Sequence, residues 1–415
     1  MTGVPGLAAR QAALRLLDAV LRRGLPLEAA LDDAARLLDR ADDRGLAHAL
    51  AAETLRRLPD LDALIDSATA KPLPGDAKAR SVLRLALVQA LALGTPPHAA
   101  IATVLPLVDG GPRRLVHGVF GTLMRRRVAL PETPSLPGGV ARRWLDAWGR
   151  DMVDAAAAAI AAPPPLDLSF ADPDPDFADG VALAPGHRRL PAGARVVDLP
   201  GFADGRWWVQ DLAASLPARL LGGAGAGRRV LDLCAAPGGK TLQLAAAGWA
   251  VTAVDASAGR LARLHENLAR TGLAAEVVEA DLREWAPPAP VDAILLDAPC
   301  SATGIFRRHP DVLHRARPRL IAEMAALQQV LLARAATWLA PGGTLVFSTC
   351  SLEPAEGEAH LGALPSCLVP QPVTAGELPA GLLPDPRGHV RTLPTMLADA
   401  GRLDGFFIAR FSRAD

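Results

Sequence analysis

From Arg229 onward, five short apolar runs (RVLDL, AVTAVD, AEVVEA, VDAILLD and TLVFST) alternate with stretches at helical spacing. Runs this short and largely apolar, ending near polar residues, suit strands of a covered sheet. Their alternation with helices implies a mostly parallel sheet covered on two sides. The longest helical stretch, Leu320 to Leu339, places Ile321, Met324, Leu327, Leu331 and Ala335 on one face. A last run, GFFIARF, reads as a late strand adding antiparallel at an edge.

The rest of the chain has a different texture. Residues 1–130 carry apolar residues at helical spacing, as in Leu14, Leu17, Leu21 and again in Leu83, Leu87, Val88, Leu91. Breakers mark the loops: Gly24, Pro59, Pro72 with Pro74, Pro96-Pro97 and Gly110-Gly111-Pro112. This segment is expected to be an all-α bundle. PETPSLPGG follows as a linker, 139–162 reads as one helix or two, and the Pro- and Asp-rich APPPLDLSFADPDPDFADG as loop with short strands. Three regions result: a helical bundle over 1–130, a linker and small α/β subdomain over 131–225, and an α/β catalytic region over 226–415.

At 415 residues the chain exceeds one ordinary core. Its apolar tracts are too short to span a bilayer, the longest alanine run being Ala155 to Ala159. The start, MTGVPGLAAR, lacks the charged and apolar parts of a signal peptide, and four cysteines do not make a disulfide framework. A reducing cytoplasm, no membrane and a monomer are the expectations. Net charge is zero, yet residues 1–130 hold 18 Lys+Arg against 13 Asp+Glu. The cluster Arg125-Arg126-Arg127 suits either a nucleic-acid contact or a solvated helix end, where cations also favour the dipole.

Strand RVLDL runs straight into Cys234-Ala235-Ala236-Pro237-Gly238-Gly239-Lys240 and then a helix. Small residues let a backbone approach a ligand, and the helix start behind them offers free N–H groups. The spacing is neither that of a phosphate loop nor of a dinucleotide fingerprint. Asp255 ends the second strand, where a carboxylate can accept both ribose hydroxyls. Asp281 follows the third, placed to meet an adenine amine, and Asp297 ends the fourth. Each alone reads as a helix N-cap. Three at successive strand ends favour a nucleoside site.

Two cysteines occupy equivalent places, Cys300 after the fourth strand and Cys350 after the fifth. A cysteine is usually a small buried hydrophobe, and that reading suits Cys367 and partly Cys234. It suits less well two thiols on one rim, flanked by polar and turn residues. No CxxC pair or histidine set suggests zinc. Carbon 5 of cytosine, however, becomes enamine-like once a soft nucleophile adds to carbon 6. An acid near the ring nitrogen assists, and Asp297 is placed for it.

Together DLCAAPGGKT, VDASAGRL, LLDAPCSATGIFRRHPD and PGGTLVFSTCSLEPAEGE resemble the RsmB/Sun-type RNA (cytosine-5) methyltransferases, upstream GRWWVQDLAASL and downstream DGFFIARF extending the match. The resemblance implies a class I, Rossmann-like domain with a mostly parallel seven-stranded sheet. It implies S-adenosylmethionine as donor and S-adenosylhomocysteine as product. The segment from Cys234 to Lys240, with Asp255, Asp281 and Asp297, would bind the donor. Cys350 would be the nucleophile, Cys300 would help resolve the adduct, and Lys240 would also reach the target base. RSVLRLALVQALALGTPPHAAIATVLPLV with GVFGTLMRRR looks like the helical RNA-binding domain of the antitermination factor NusB. That combination points to RNA of the small ribosomal subunit.

Three other readings stand beside this one. A DNA-type cytosine methyltransferase would use Cys300 as nucleophile and spare Cys350. The same chemistry on transfer RNA or another RNA is the second. A non-catalytic ribosome-assembly factor is the third, which retention of both cysteines disfavours.

Overall fold

The computed structural model describes residues 6–173, 176–222 and 225–414. Residues 1–5 of the opening stretch, and Asp174 and Pro175 of the Pro- and Asp-rich segment, lie outside them. The chain divides into two compact units, Met1–Ala162 with Phe306–Arg317, and Pro163–Ile305 with Pro318–Asp415.

The first unit is helical. It holds α1 (Leu7–Leu21), α2 (Leu27–Ala34), α3 (Ala41–Arg56), α4 (Leu58–Ser67), α5 (Lys78–Leu91), α6 (Pro97–Val104), α7 (Gly110–Arg125), α8 (Gly138–Trp148) and α9 (Arg150–Ile160). Leu16, Leu17 and Val20 of α1 meet Leu50 and Leu55 of α3, Leu83 and Leu87 of α5, and Phe120 and Leu123 of α7 in one core. The helices form because each has an apolar stripe that only the others can cover. The stretch 139–162 resolves into two helices because Gly149 adopts φ 83 between them. Arg84 binds Asp62 bidentately at 2.8 Å and Arg80 pairs with Asp62 at 3.0 Å, so these arginines serve the fold. Arg125 to Arg127 close α7 and are exposed.

Phe306–Arg317, which follows the Pro-Cys motif, belongs to this unit. The Phe306 ring lies 5.3 Å from Trp144, the Leu27 N–H donates to Asp311 at 3.3 Å, and His314 Nε2 bonds the Leu55 carbonyl at 2.8 Å.

The second unit opens with β1 (Leu166–Phe170), β2 (Val181–Ala184), β3 (His187–Leu190) and β4 (Trp207–Val209), an antiparallel sheet in the order β2-β3-β1-β4. Asp167 and Arg189 form a bidentate pair at 2.6 and 2.7 Å inside it. The chain then runs α10 (Leu212–Arg219), β5 (Arg229–Leu233), α11 (Gly239–Ala246), β6 (Ala250–Asp255), α12 (Ala258–Thr271), β7 (Glu276–Glu279) and β8 (Val291–Asp297). After α13 (Val312–Arg315) of the helical unit come α14 (Pro318–Trp338), β9 (Leu339–Thr349), β10 (Leu368–Pro370), β11 (Val390–Thr392) and β12 (Phe406–Arg413).

These strands form the path β10-β12-β9-β8-β5-β6-β7, with β11 pairing β12 off it. From β9 to β7 every pairing is parallel. The five runs read as strands are β5 to β9. The central ones are largely apolar because both faces are packed: Leu231, Ile294 and Leu345 meet Leu331 and Leu332 of α14, whereas Val230, Leu295 and Val346 meet Leu212, Leu216 and Leu244. GFFIARF is antiparallel as expected, but it is no edge strand, since β12 lies between β9 and β10. Its Phe407, Ile408, Ala409 and Phe411 are buried, which an edge would not require. In α14 the buried face extends to Gln328, a polar residue with a role described below.

Candidate active site

The winding of the sheet reverses between β5 and β8, with β6 and β7 on one side and β9 on the other. Connections leave in opposite directions there, which opens a crevice beyond the carboxyl ends of the strands. Register fixes its rim. Leu233 pairs with Leu296 and Asp297 with Ser348, so Cys234, Asp297 and the residues after Thr349 come side by side. A cavity of about 530 Å³ lies here, walled by Cys234, Asp255, Asp281, Asp297, Cys300 and Cys350 among apolar Ala256, Leu282, Pro299, Leu327 and Leu331.

The glycine-rich turn is latched to the next strand. Asp255 accepts the Ala236 N–H at 3.1 Å and the Ser257 N–H at 3.0 Å, and the Ala235 N–H bonds the Val254 carbonyl at 3.1 Å. Cys234 and Gly238 adopt φ 62 and φ 107. A Cβ at Gly238 would come within 2.3 Å of Leu264, so glycine alone suits that position. Gly239 then begins α11. Of the turn, Cys234 reaches the cavity wall. Ala235, Ala236, Pro237, Gly238 and Gly239 form the backbone behind it, and the Lys240 side chain turns onto Asp297.

None of the three acids caps a helix. Ser257 caps α12 instead. Asp281 accepts its own Arg283 N–H at 2.9 Å and the Arg283 guanidinium at 3.0 and 2.5 Å, which together hold its carboxyl down to about 2. Asp297 accepts Lys240 Nζ and Ser348 Oγ, each at 2.7 Å. Burial alone would depress the Lys240 ammonium, but the Asp297 charge and hydrogen bond outweigh it and hold the proton more firmly than usual.

The two thiols meet. Cys300 Sγ lies 3.3 Å from Cys350 Sγ, and both line the cavity. The hydrogen bond to Cys350, followed by burial, raises the Cys300 thiol well above its ordinary range, so Cys300 keeps its proton. Burial and the nearby Asp255 and Asp297 carboxylates likewise keep Cys234 a thiol. Cys367 packs among hydrophobic neighbours. Among the described residues no group of His, Cys, Asp or Glu is arranged to hold a metal, and no helix is long and apolar enough to cross a membrane.

Three residues that the sequence reading passed over support this arrangement. Asp232, wholly buried at the base of the turn, accepts Thr241 Oγ1 at 2.5 Å, and burial pushes its carboxyl up to about 7. Glu356 lies behind both cysteine loops. Gly304 donates to the Cys350 carbonyl at 3.0 Å and accepts the Gly405 N–H at 2.9 Å. A Cβ at Gly304 would stand 1.9 Å from the Gly405 oxygen and 2.9 Å from that of Cys350. Gly304→Ala must therefore push these loops apart. It is expected to cost about 1–3 kcal/mol, the range of buried overpacking, and to lower the thermal midpoint in scanning calorimetry. An unchanged midpoint would mean the loops part freely.

A reversing parallel sheet, a glycine turn latched by a strand-end acid and a crevice at the switch point define a class I methyltransferase domain, with S-adenosylmethionine as donor. Residues 224–412 match the family model for 16S rRNA methyltransferase RsmB/F, and residues 7–113 match that of the NusB family. Ribosomal RNA small subunit methyltransferase B of Xylella fastidiosa is 35% identical over 437 aligned residues, covering 98% of each chain. The enzyme of that name from Klebsiella pneumoniae is 37% identical over 351, covering 74% of this chain and 78% of its own. Among solved structures, a methyltransferase homologue from Pyrococcus horikoshii superposes with a TM-score of 0.53 at 26% identity, over 66% of this chain and 94% of its own. NSun6 from the same organism shares the fold with a TM-score of 0.55 at 18% identity, over 68% and 99%. The chain belongs to the RsmB/F family of 16S rRNA methyltransferases, with a NusB-family domain at its N-terminal side.

Proposed function

We propose that this protein transfers a methyl group to carbon 5 of a cytosine in small-subunit ribosomal RNA through a covalent bond between Cys350 and the base. The observation that carries the reading is the pair of thiols, 3.3 Å apart, in the cavity that also holds the strand-end acids. The relatives, ribosomal RNA small subunit methyltransferases, point to the RNA.

The crevice fits the donor. Its glycine at φ 107 keeps the turn tight, and Asp255 stands at the cavity wall for a ribose. Cys234 to Lys240, Asp255, Asp281 and Asp297 are the residues we assign to holding it. Bound there, S-adenosylmethionine supplies a methyl group on an electrophilic sulfonium. Cys350 adds as its thiolate to carbon 6 of the base, forming the S–C6 bond as the C5=C6 π bond opens and leaves carbon 5 nucleophilic. Lys240, its proton held by Asp297, donates toward the side of the ring where negative charge collects. Once carbon 5 has taken the methyl group, with S-adenosylhomocysteine left as product, a base takes the remaining carbon 5 proton, its electron pair re-forms the C5=C6 bond, and the S–C6 bond breaks to return the Cys350 thiolate. Cys300, kept protonated beside Cys350, offers its S–H to the departing sulfur.

Within this reading residues 1–130 grip RNA, 131–225 join them to the core, and 226–415 perform the chemistry. The target base must leave its stack to meet a thiol inside a crevice, so a cytosine in a loop or bulge is expected. The test uses small-subunit RNA from cells lacking the protein, incubated with enzyme and labelled donor. We expect label in 5-methylcytidine at one position after nuclease digestion and mass spectrometry. Label in another nucleoside would overturn the assignment, as would its absence from small-subunit RNA alongside transfer to another RNA.

A further inference from the structure

Glu356 is a buried carboxylate outside the cavity, and every polar group that faces its side chain is a donor. Ser301, the residue after Cys300, gives its N–H to Oε1 at 2.8 Å and its hydroxyl to Oε2. Ser351, the residue after Cys350, gives its hydroxyl to the same Oε2 at 2.5 Å. Gln328 Nε2 of α14 reaches Oε1 at 3.3 Å while donating to the Pro299 carbonyl at 2.8 Å. The Glu356 carbonyl in turn accepts Thr349 Oγ1 at 2.8 Å, from the residue before Cys350. One carboxylate thus holds the successor of each active-site cysteine. Thr303 adds a second tie, accepting the Leu352 N–H at 3.0 Å and lying 3.3 Å from Ser351 Oγ, but Glu356 alone among the described residues takes hydrogen bonds from the residue after each cysteine.

We infer that Glu356 is a positioning residue for the methyl-transfer reaction: it clamps Ser301 and Ser351 so that the Cys300 and Cys350 sulfurs stand in register. This inference rests on the reading of Cys350 as the nucleophile. Two strands end beside each other in any such sheet, but their following loops have no intrinsic reason to keep two thiols in contact. A shared acceptor supplies that reason, because Ser301 and Ser351 both lie against Oε2. A charged acceptor also binds its donors about twice as strongly as a neutral one.

The clamp has an electrostatic consequence. The Cys300 thiol is raised by its hydrogen bond to Cys350, by burial and by the Glu356 charge, against a smaller lowering from a hydrogen bond with the Ala302 backbone. Beyond them, Lys240 is paired with Asp297, Arg391 donates to the Ser351 carbonyl at 2.5 Å, and His360 is linked through Gln328 at 2.8 Å. Removing the Glu356 charge therefore lowers the pKa of Cys300 as well as loosening the loops.

The experiment compares wild type, Cys350→Ala, Glu356→Gln and Ser351→Ala in forming a covalent adduct with small-subunit RNA carrying 5-fluorocytosine, whose carbon 5 fluorine blocks release. Wild type should give an adduct and Cys350→Ala none; if not, the nucleophile reading fails, whatever Glu356 does. With that control met, Glu356→Gln should slow adduct formation by about tenfold to 100-fold, the effect of a small misplacement of reacting groups. Donor affinity should stay unchanged. Alkylation of Cys300 by iodoacetamide, followed by peptide mass, should shift to lower pH in Glu356→Gln. Ser351→Ala should slow the adduct without that shift. An adduct rate equal to wild type in Glu356→Gln, or unaltered Cys300 alkylation with pH, would overturn the inference. Should Glu356→Gln fail to fold, a wild-type adduct rate in Ser351→Ala overturns it, and a slowed rate upholds it.

Discussion

Replacing Cys350 with alanine is expected to abolish methyl transfer, by about 10⁴-fold or more, while donor affinity remains within a factor of two or so of wild type. The size follows from what the thiolate does. Without addition at carbon 6, carbon 5 is part of an aromatic ring and has no electron pair directed at a methyl group. No neighbouring side chain replaces it: Cys300 is held protonated, and Cys234 is buried and held as a thiol. A fall of 10⁴ corresponds to about 5.4 kcal/mol of barrier, well beyond the loss of one hydrogen bond. The donor should still bind because its assigned contacts, from the turn to Asp255 and Asp281, do not pass through Cys350. Single-turnover methylation of small-subunit RNA, with calorimetric titration of S-adenosylmethionine, measures both quantities. Residual transfer above about 1% of wild type would remove Cys350 from the role proposed for it.

The parts of the site that lie next to strands were legible in the sequence, because a strand's end is fixed by its own apolar run. RVLDL, AVTAVD, VDAILLD and TLVFST each stop where a functional residue begins, and β5, β6, β8 and β9 end at Leu233, Asp255, Asp297 and Thr349. What joins those ends was not legible. Glu356 stands six residues past Cys350, in a segment with no periodicity, and its partners Ser301 and Gln328 come from elsewhere in the chain. Gln328 was hidden for a related reason: polar residues on a helix read as solvent-facing, yet this one is fully buried because it bonds the Pro299 carbonyl and Glu356. The position of β12 between β9 and β10 was missed because an antiparallel strand late in the chain carries no mark of which neighbours it gains. Phe306–Arg317 is the clearest case. By sequence it continues the Pro-Cys motif, but its Phe306, Asp311 and His314 find their partners among the helices.

Cys300→Ala should behave oppositely to Cys350→Ala: a protein–RNA adduct accumulates on natural RNA, seen as a slow band on a denaturing gel. The adduct leaves when the Cys350 sulfur departs as a thiolate, inside a cavity lined largely by apolar residues. A departing anion there needs a donor, and the Cys300 S–H at 3.3 Å is the group in place. Losing a hydrogen bond to a charged group costs about 1.5–3 kcal/mol, so release should slow by about tenfold to 150-fold. Addition is less affected, because the Cys350 sulfur then gains a bond to carbon and gives up its charge. Formation therefore outruns release and the intermediate builds up. The two variants together also separate this mechanism from that of a DNA-type enzyme. If Cys300 were the nucleophile, its alanine variant would form no adduct at all, and Cys350→Ala would keep its turnover.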